Sequence, residues 1–266
     1  MATQQRYRRI DQVWRDTSHL VIVLPDGKNL TRIPTNYLQQ SGTNDWQLVR
    51  DIAQALLEEA ICLTYRDGTN VQMNEIPSSG TYFVLNADDP QGSLTPKKGP
   101  EGKRLFLPLD DGPQSTVSRS SRKSARQSDF RLALVSRDSN CVVTGLPWSA
   151  CIASHIVPFS RLDVYRRIYI SDVTENNLFE PSMGLLLSDH FSRMFDRFLW
   201  SIYVRDQRYY FHGPALDKPL REHHGKALKI ADGREWDSDA MPDPIFCQWH
   251  WEQCMQAHAR GFAVWP

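Results

Sequence analysis

Ser154-His-Ile-Val-Pro158, and after it Gly184-Leu-Leu-Leu-Ser-Asp-His-Phe-Ser-Arg-Met-Phe195-Asp196, is the part of the sequence on which the fold turns. The run from Cys151 to Val157 reads as a strand stopped by Pro158, whose ring removes a donor and fixes φ. Gly184 to Leu187 leads into a helix capped by Ser188, with Phe191, Met194, Phe195 and Phe198 as its buried stripe. Upstream, Ser128 caps a short helix through Leu132 and Val135, and Cys141-Val-Val-Thr-Gly145 reads as strand and turn. Downstream, Leu199 to Val204 and Tyr209 to Phe211 form a hairpin around Arg205-Asp-Gln-Arg208. Asp243 and Pro244 then stand as cap and first position of a final helix that Gly261 ends.

Outward from this core the chain divides by composition. Residues 1–88 predict a small α+β module. It has a strand at Leu20–Leu24 closed by Pro25-Asp26-Gly27, and a helix from Thr43 or Asn44 carrying Trp46, Val49, Ile52, Ala53, Leu56, Leu57 and Ala60. A second strand follows at Thr81–Leu85. Residues 89–127, rich in proline, glycine, serine and arginine, read as an extended linker with a basic end. Residues 128–266 hold the strand, strand and helix just described. The expected class is α+β: the small module, then a ββα domain with a C-terminal helix.

The 266 residues carry 31 Lys plus Arg against 31 Asp plus Glu, so no global field draws the chain to nucleic acid. Any DNA contact must come from a local patch. No apolar run nears the ~20 residues of a membrane-spanning helix. The five cysteines are odd in number and irregularly spaced, and the N-terminus lacks the apolar core of a signal peptide. Free thiols and an intracellular setting, cytoplasmic or nuclear, are therefore expected.

Taken in order, Cys141-Val-Val-Thr-Gly145, Ser154-His-Ile-Val-Pro158, Gly184-Leu-Leu-Leu187, Phe195-Asp196 and Trp200-Ser-Ile202 resemble the HNH, or ββα-metal, nuclease-like proteins abundant in fungi. His224-Gly-Lys226 and the Trp249-His-Trp251 helix resemble the tail of that group. The resemblance spans roughly Asp129 to Gly261. It implies metal-assisted phosphodiester hydrolysis on DNA, with His155 activating water and one Mg²⁺ or Mn²⁺ held by helix residues.

Two positions depart from the family. Met183 stands where asparagine is common, and a thioether neither orients a base nor binds a hard cation. Ser192 stands where relatives carry a metal-binding histidine. His190 cannot replace it, because two helix residues rotate a side chain by about 200°. Asp189 and Asp196 fall on the flank of Ser192 and are the candidate carboxylates for the ion. The candidate catalytic set is thus His155, Asp189 and Ser192, with Asp189 and Asp196 toward metal. Cys247, His250, Cys254 and His258 share one helix stripe, but they are strung along about 16 Å and cannot surround one zinc ion.

Two other functions remain open on the same residues. A scaffold without its metal could use His155, Asp189 and Ser192 for acid–base chemistry on a small molecule, such as a cyclisation or isomerisation, with Trp148 and Tyr165 lining a pocket and no cofactor. The third is a non-catalytic binding module.

Overall fold

The computed structural model describes residues 8–101, 116–169, 177–230 and 240–260, with backbone alone for 116–125, 169 and 177. The chain is α+β. It begins with α1 (Ile10–Trp14), β1 (His19–Val23), β2 (Asn29–Pro34), α2 (Thr35–Gln39), α3 (Trp46–Gln54), β3 (Ile61–Thr64) and β4 (Gly80–Asn86). The four strands form one sheet in the order β2-β1-β4-β3, with β1 and β4 parallel and the outer pairs antiparallel. Asp45, one residue beyond the expected caps, accepts from the Leu48 N–H at 2.9 Å and starts α3. The Trp46, Val49, Ile52 and Ala53 face of α3 is buried in the core, but the helix ends at Gln54, so Leu56, Leu57 and Ala60 follow it instead of extending its stripe.

After this sheet come α4 (Thr116–Asp138), β5 (Cys151–His155), α5 (Leu162–Tyr169), β6 (Gly184–Ser188), α6 (Asp189–Phe195), β7 (Ser201–Arg205), β8 (Arg208–His212) and α7 (Pro244–His258). Two expectations need correction. Helix α4 begins at Thr116, inside the stretch read as extended linker, and Ser128 lies within it rather than capping it. Cys141-Val-Val-Thr-Gly145 is a turn with no strand. The Cys141 Sγ accepts from the Thr144 and Ser188 N–H groups, and that closes the backbone into a knuckle where a strand would leave them to a neighbour.

The hairpin and the final helix match their sequence signals. Asp206 (φ 49°) and Gln207 (φ 61°), both in the left-handed region, make a two-residue turn whose twist matches the right-handed twist of β7 and β8. Asp243 accepts from the Ile245 N–H at 2.8 Å with Pro244 at the first helical position, and α7 ends at His258. Gly261 lies outside the described residues. Helix α7 is buried on nearly every side and packs on β7, so it is a core element rather than a surface stripe.

One apolar core runs from the four-stranded sheet through β5–β6 to α7. Backbone meets backbone where the two halves join. A Cβ on Gly225 (φ +74°) would fall 1.8 Å from the Gln40 carbonyl oxygen, and one on Gly42 (φ +87°) 2.4 Å from that of Gly225. Only glycine fits such an approach with positive φ. Thr31 Oγ1 donates to the Ala259 carbonyl, Gln256 Nε2 to that of Ala55, and Tyr203 Oη to Asp51.

All five thiols are free, and four are buried. Burial raises the Cys151 pKa to about 11, and it raises Cys247 and Cys254 further. Half-buried Cys62 is therefore expected to be the single thiol that reacts promptly with a thiol reagent in the native protein, the other four reacting only on unfolding. A thiol count against time checks this, and prompt reaction of more than one would contradict the packing. No helix among the described residues is long and apolar enough to cross a membrane.

Candidate functional site

Strands β5 and β6 pair antiparallel from Cys151↔Ser188 to His155↔Gly184, and α6 follows β6 directly. This is a strand–strand–helix frame with a histidine at the end of its first strand. Alternation along β5 sends neighbouring side chains to opposite faces. Ser154 turns to α6, where its Oγ donates to the Ser192 Oγ at 2.7 Å. His155 turns the other way, and its ring stacks on Phe130 of α4 at 4.5 Å between centroids. Phe159 and Phe179 complete an aromatic wall around it.

The His155 Nε2 lies 2.9 Å from the Leu178 carbonyl oxygen. A carbonyl only accepts, so Nε2 carries the proton and Nδ1 the lone pair of the neutral ring. Nδ1 has no hydrogen-bond partner among the described residues. Burial holds the pKa below the usual histidine value, partly offset by the Leu178 bond, so the ring is neutral at pH 7 and able to accept a proton.

Gly184 explains the glycine of the Gly-Leu-Leu-Leu run. A Cβ there would lie 2.3 Å from Phe130 Cζ and 2.9 Å from the Ser154 carbonyl oxygen, so any side chain would displace the ring that backs His155. Met183 is buried and its carbonyl accepts from the Ile156 N–H, a packing position rather than an orienting one. The Leu178 carbonyl orients the ring in its place.

The remaining candidates do not converge on His155. Asp189 is exposed, and its two oxygens face Arg193 Nε at 3.1 Å and Nη2 at 2.8 Å. Asp196 is exposed just past the end of α6; seven residues of helix set it about 10 Å along the axis from Asp189. Exposed His190 meets the Phe191 ring edge-on at 6.0 Å between centroids. Trp148 is exposed, whereas Tyr165 is fully buried with its hydroxyl on the Val157 carbonyl, so the two do not line a common pocket. None of the three cavities described for the chain is lined by His155, Asp189, Ser192 or Asp196.

Among the described residues no group of three or more His, Cys, Asp or Glu side chains stands together as a metal shell. Serine hydroxyls that satisfy one another are a poor donor set for a hard divalent cation, which prefers anionic oxygens. The described residues therefore do not fit the Mg²⁺ or Mn²⁺ that the frame implies. On α7, His250 stacks on Phe195 at 3.6 Å and bonds Ser201, while the Cys254 Sγ donates to the Phe198 carbonyl; these are packing groups.

Two elements of the site were invisible along the sequence. Ser154 is adjacent to His155, yet its partner comes from another element. Arg137 and Asp138, buried between α4 and β6, brace Gly184 opposite His155. A charged pair in the last turn of a helix is an ordinary surface signal, and nothing in the local pattern marks its burial.

Residues 141–203 match the family described as HNH endonuclease, a span that opens at the Cys141 knuckle and closes in β7. No curated protein and no solved structure matches the chain. The matched segment is HNH-like, and the family it matches is one of endonucleases.

Proposed function

We propose that the protein is a phosphodiester hydrolase of the HNH type acting on DNA, with the family's metal shell altered to the point of not fitting an ion and with His155 as its general base. The observation that carries this reading is the His155 tautomer, fixed by the Leu178 carbonyl with Nδ1 left to accept a proton. Nδ1 takes a proton from water as the oxygen attacks phosphorus; the bond to the leaving oxygen breaks, and that oxygen regains a proton from the imidazolium. The ring's depressed pKa keeps the accepting form populated down to mildly acidic pH. Because the described residues do not fit a divalent ion, no step is assigned to one.

Supercoiled-plasmid nicking tests the reading, run with Mg²⁺, with Mn²⁺ and with EDTA. His155→Ala is expected to slow nicking about 10²- to 10⁴-fold. His155→Gln keeps a donor for the Leu178 carbonyl and should fold like the wild type while losing the same activity. Undiminished nicking in both variants would defeat the assignment.

A second reading is acid–base catalysis on a small molecule. It is favoured by the apolar wall of Phe130, Phe159 and Phe179, which offers no cation to a phosphate. Salt separates the two, since affinity for DNA falls steeply with salt and affinity for a neutral small ligand does not.

A further inference from the structure

We propose that the HNH-like site holds no resident divalent ion, and that the Ser154–Ser192 hydrogen bond occupies the position at Ser192 where the resemblance places a metal-binding histidine. The proposal rests on the HNH reading for the location of the site and on geometry for its content. The two hydroxyl oxygens are 2.7 Å apart, one from β5 and one from α6. That is the length of an ordinary hydroxyl–hydroxyl hydrogen bond, so β5 and α6 face each other closely here and the pair closes on itself.

Three features close the site to a cation. Each serine is neutral, and the hydroxyl of Ser154 is spent on Ser192. Ser154 is 5% and Ser192 4% exposed, so the pair is shielded from bulk water and offers no anionic oxygen to offset the desolvation of a divalent ion. The nearest carboxylate along α6, Asp189, faces outward onto Arg193. A hydrogen-bonded pair of small polar groups also satisfies both partners without buried charge, so the frame keeps its packing without the ion.

Ligands at these two positions, an anionic oxygen from β5 and an imidazole from α6, should create an ion site, because the two facing side chains already meet. Manganese alone is the probe, followed by the loss of the free Mn²⁺ signal in electron paramagnetic resonance of the full chain. Wild type and Ser192→Ala are expected to leave that signal unchanged at millimolar Mn²⁺. The double variant Ser154→Asp/Ser192→His is expected to bind at least about tenfold more tightly than wild type, and Ser192→His alone to fall between.

Micromolar Mn²⁺ binding by the wild type that Ser192→Ala weakens would overturn the proposal. So would a folded double variant, verified by circular dichroism, that binds no better than wild type. If the double variant does not fold, Ser192→His alone decides on the same terms. Binding is read without turnover, so the result is independent of plasmid nicking. A wild type that nicks nothing removes the nuclease reading and leaves this one standing.

Discussion

Arg137→Ala is expected to cost about 3 to 5 kcal/mol of folding stability, the range seen when one partner of a buried ion pair is removed. Arg137 and Asp138 have no exposed side-chain surface, and they meet through two bonds, Nε to Oδ1 at 2.7 Å and Nη2 to Oδ2 at 2.8 Å. The guanidinium also donates to the carbonyls of Pro181, Ala240 and Gly184. Asp138 in turn accepts from the Leu186 N–H at 3.1 Å. Truncation strands a buried carboxylate and three carbonyls together, so an apolar replacement of the pair is not neutral here. The melting temperature should drop by roughly 10 °C. Asp138→Asn keeps an acceptor for Leu186 and should cost less than Arg137→Ala. Because the Gly184 carbonyl is one of the partners and Gly184 lies opposite His155, the Arg137 change should also shift the His155 ring proton resonances. A melting temperature unchanged to within about 2 °C would mean the pair contributes little.

The contrast between the hairpin and the site shows what was readable from residues alone. Strand alternation, the two-residue turn at Asp206-Gln207 and the Asp243-Pro244 cap are local rules, and each element they mark is present. The histidine at the end of β5 was equally legible, because a proline follows within the same short motif. The knuckle at Cys141 was misread as a strand because its apolar residues have strand composition. What bends it is a thiol accepting an N–H from Ser188, remote in sequence. The Ser154–Ser192 bond and the buried Arg137 are likewise tertiary. Asp189 carried a plausible role until its geometry showed an i,i+4 pair with Arg193, the ordinary fate of such charges on a helix. His224 offered no pattern beyond its resemblance to the family's tail, yet its Nε2 donates to the Tyr37 carbonyl 187 positions away and ties it to the first module.

That buried imidazole and two others predict acid lability as the second large effect. His212, His224 and His250 are each buried with Nε2 donating to a carbonyl: Ser41, Tyr37 and Phe195 respectively. In each the Nδ1 lone pair accepts, from the Tyr37 hydroxyl, the Gly213 N–H and the Ser201 hydroxyl. The neutral rings are therefore satisfied at both nitrogens. Protonation puts a hydrogen on Nδ1; the two hydroxyls can rotate to accept it, but the Gly213 N–H cannot. Burial lowers the His224 pKa to about 4 and that of His250 to about 3, and it drives His212 well below the usual value with help from nearby His224. Since the folded pKa values lie below the unfolded value of about 6.5, the unfolded chain binds more protons in that window. Stability is therefore full above about pH 6.5 and falls as pH drops toward the folded values, by up to about 1.4 kcal/mol per pH unit for each ring. His224 alone amounts to about 3 kcal/mol between pH 6.5 and 4, a large share of a typical total of about 5 to 15 kcal/mol. Urea unfolding at pH 7 and pH 5 should show the loss directly. His224→Gln supplies an amide donor to Tyr37 and an oxygen to Gly213 without titrating, and its stability should fall less over the same interval. Equal slopes in variant and wild type would remove His224 from the set of acid-sensitive groups.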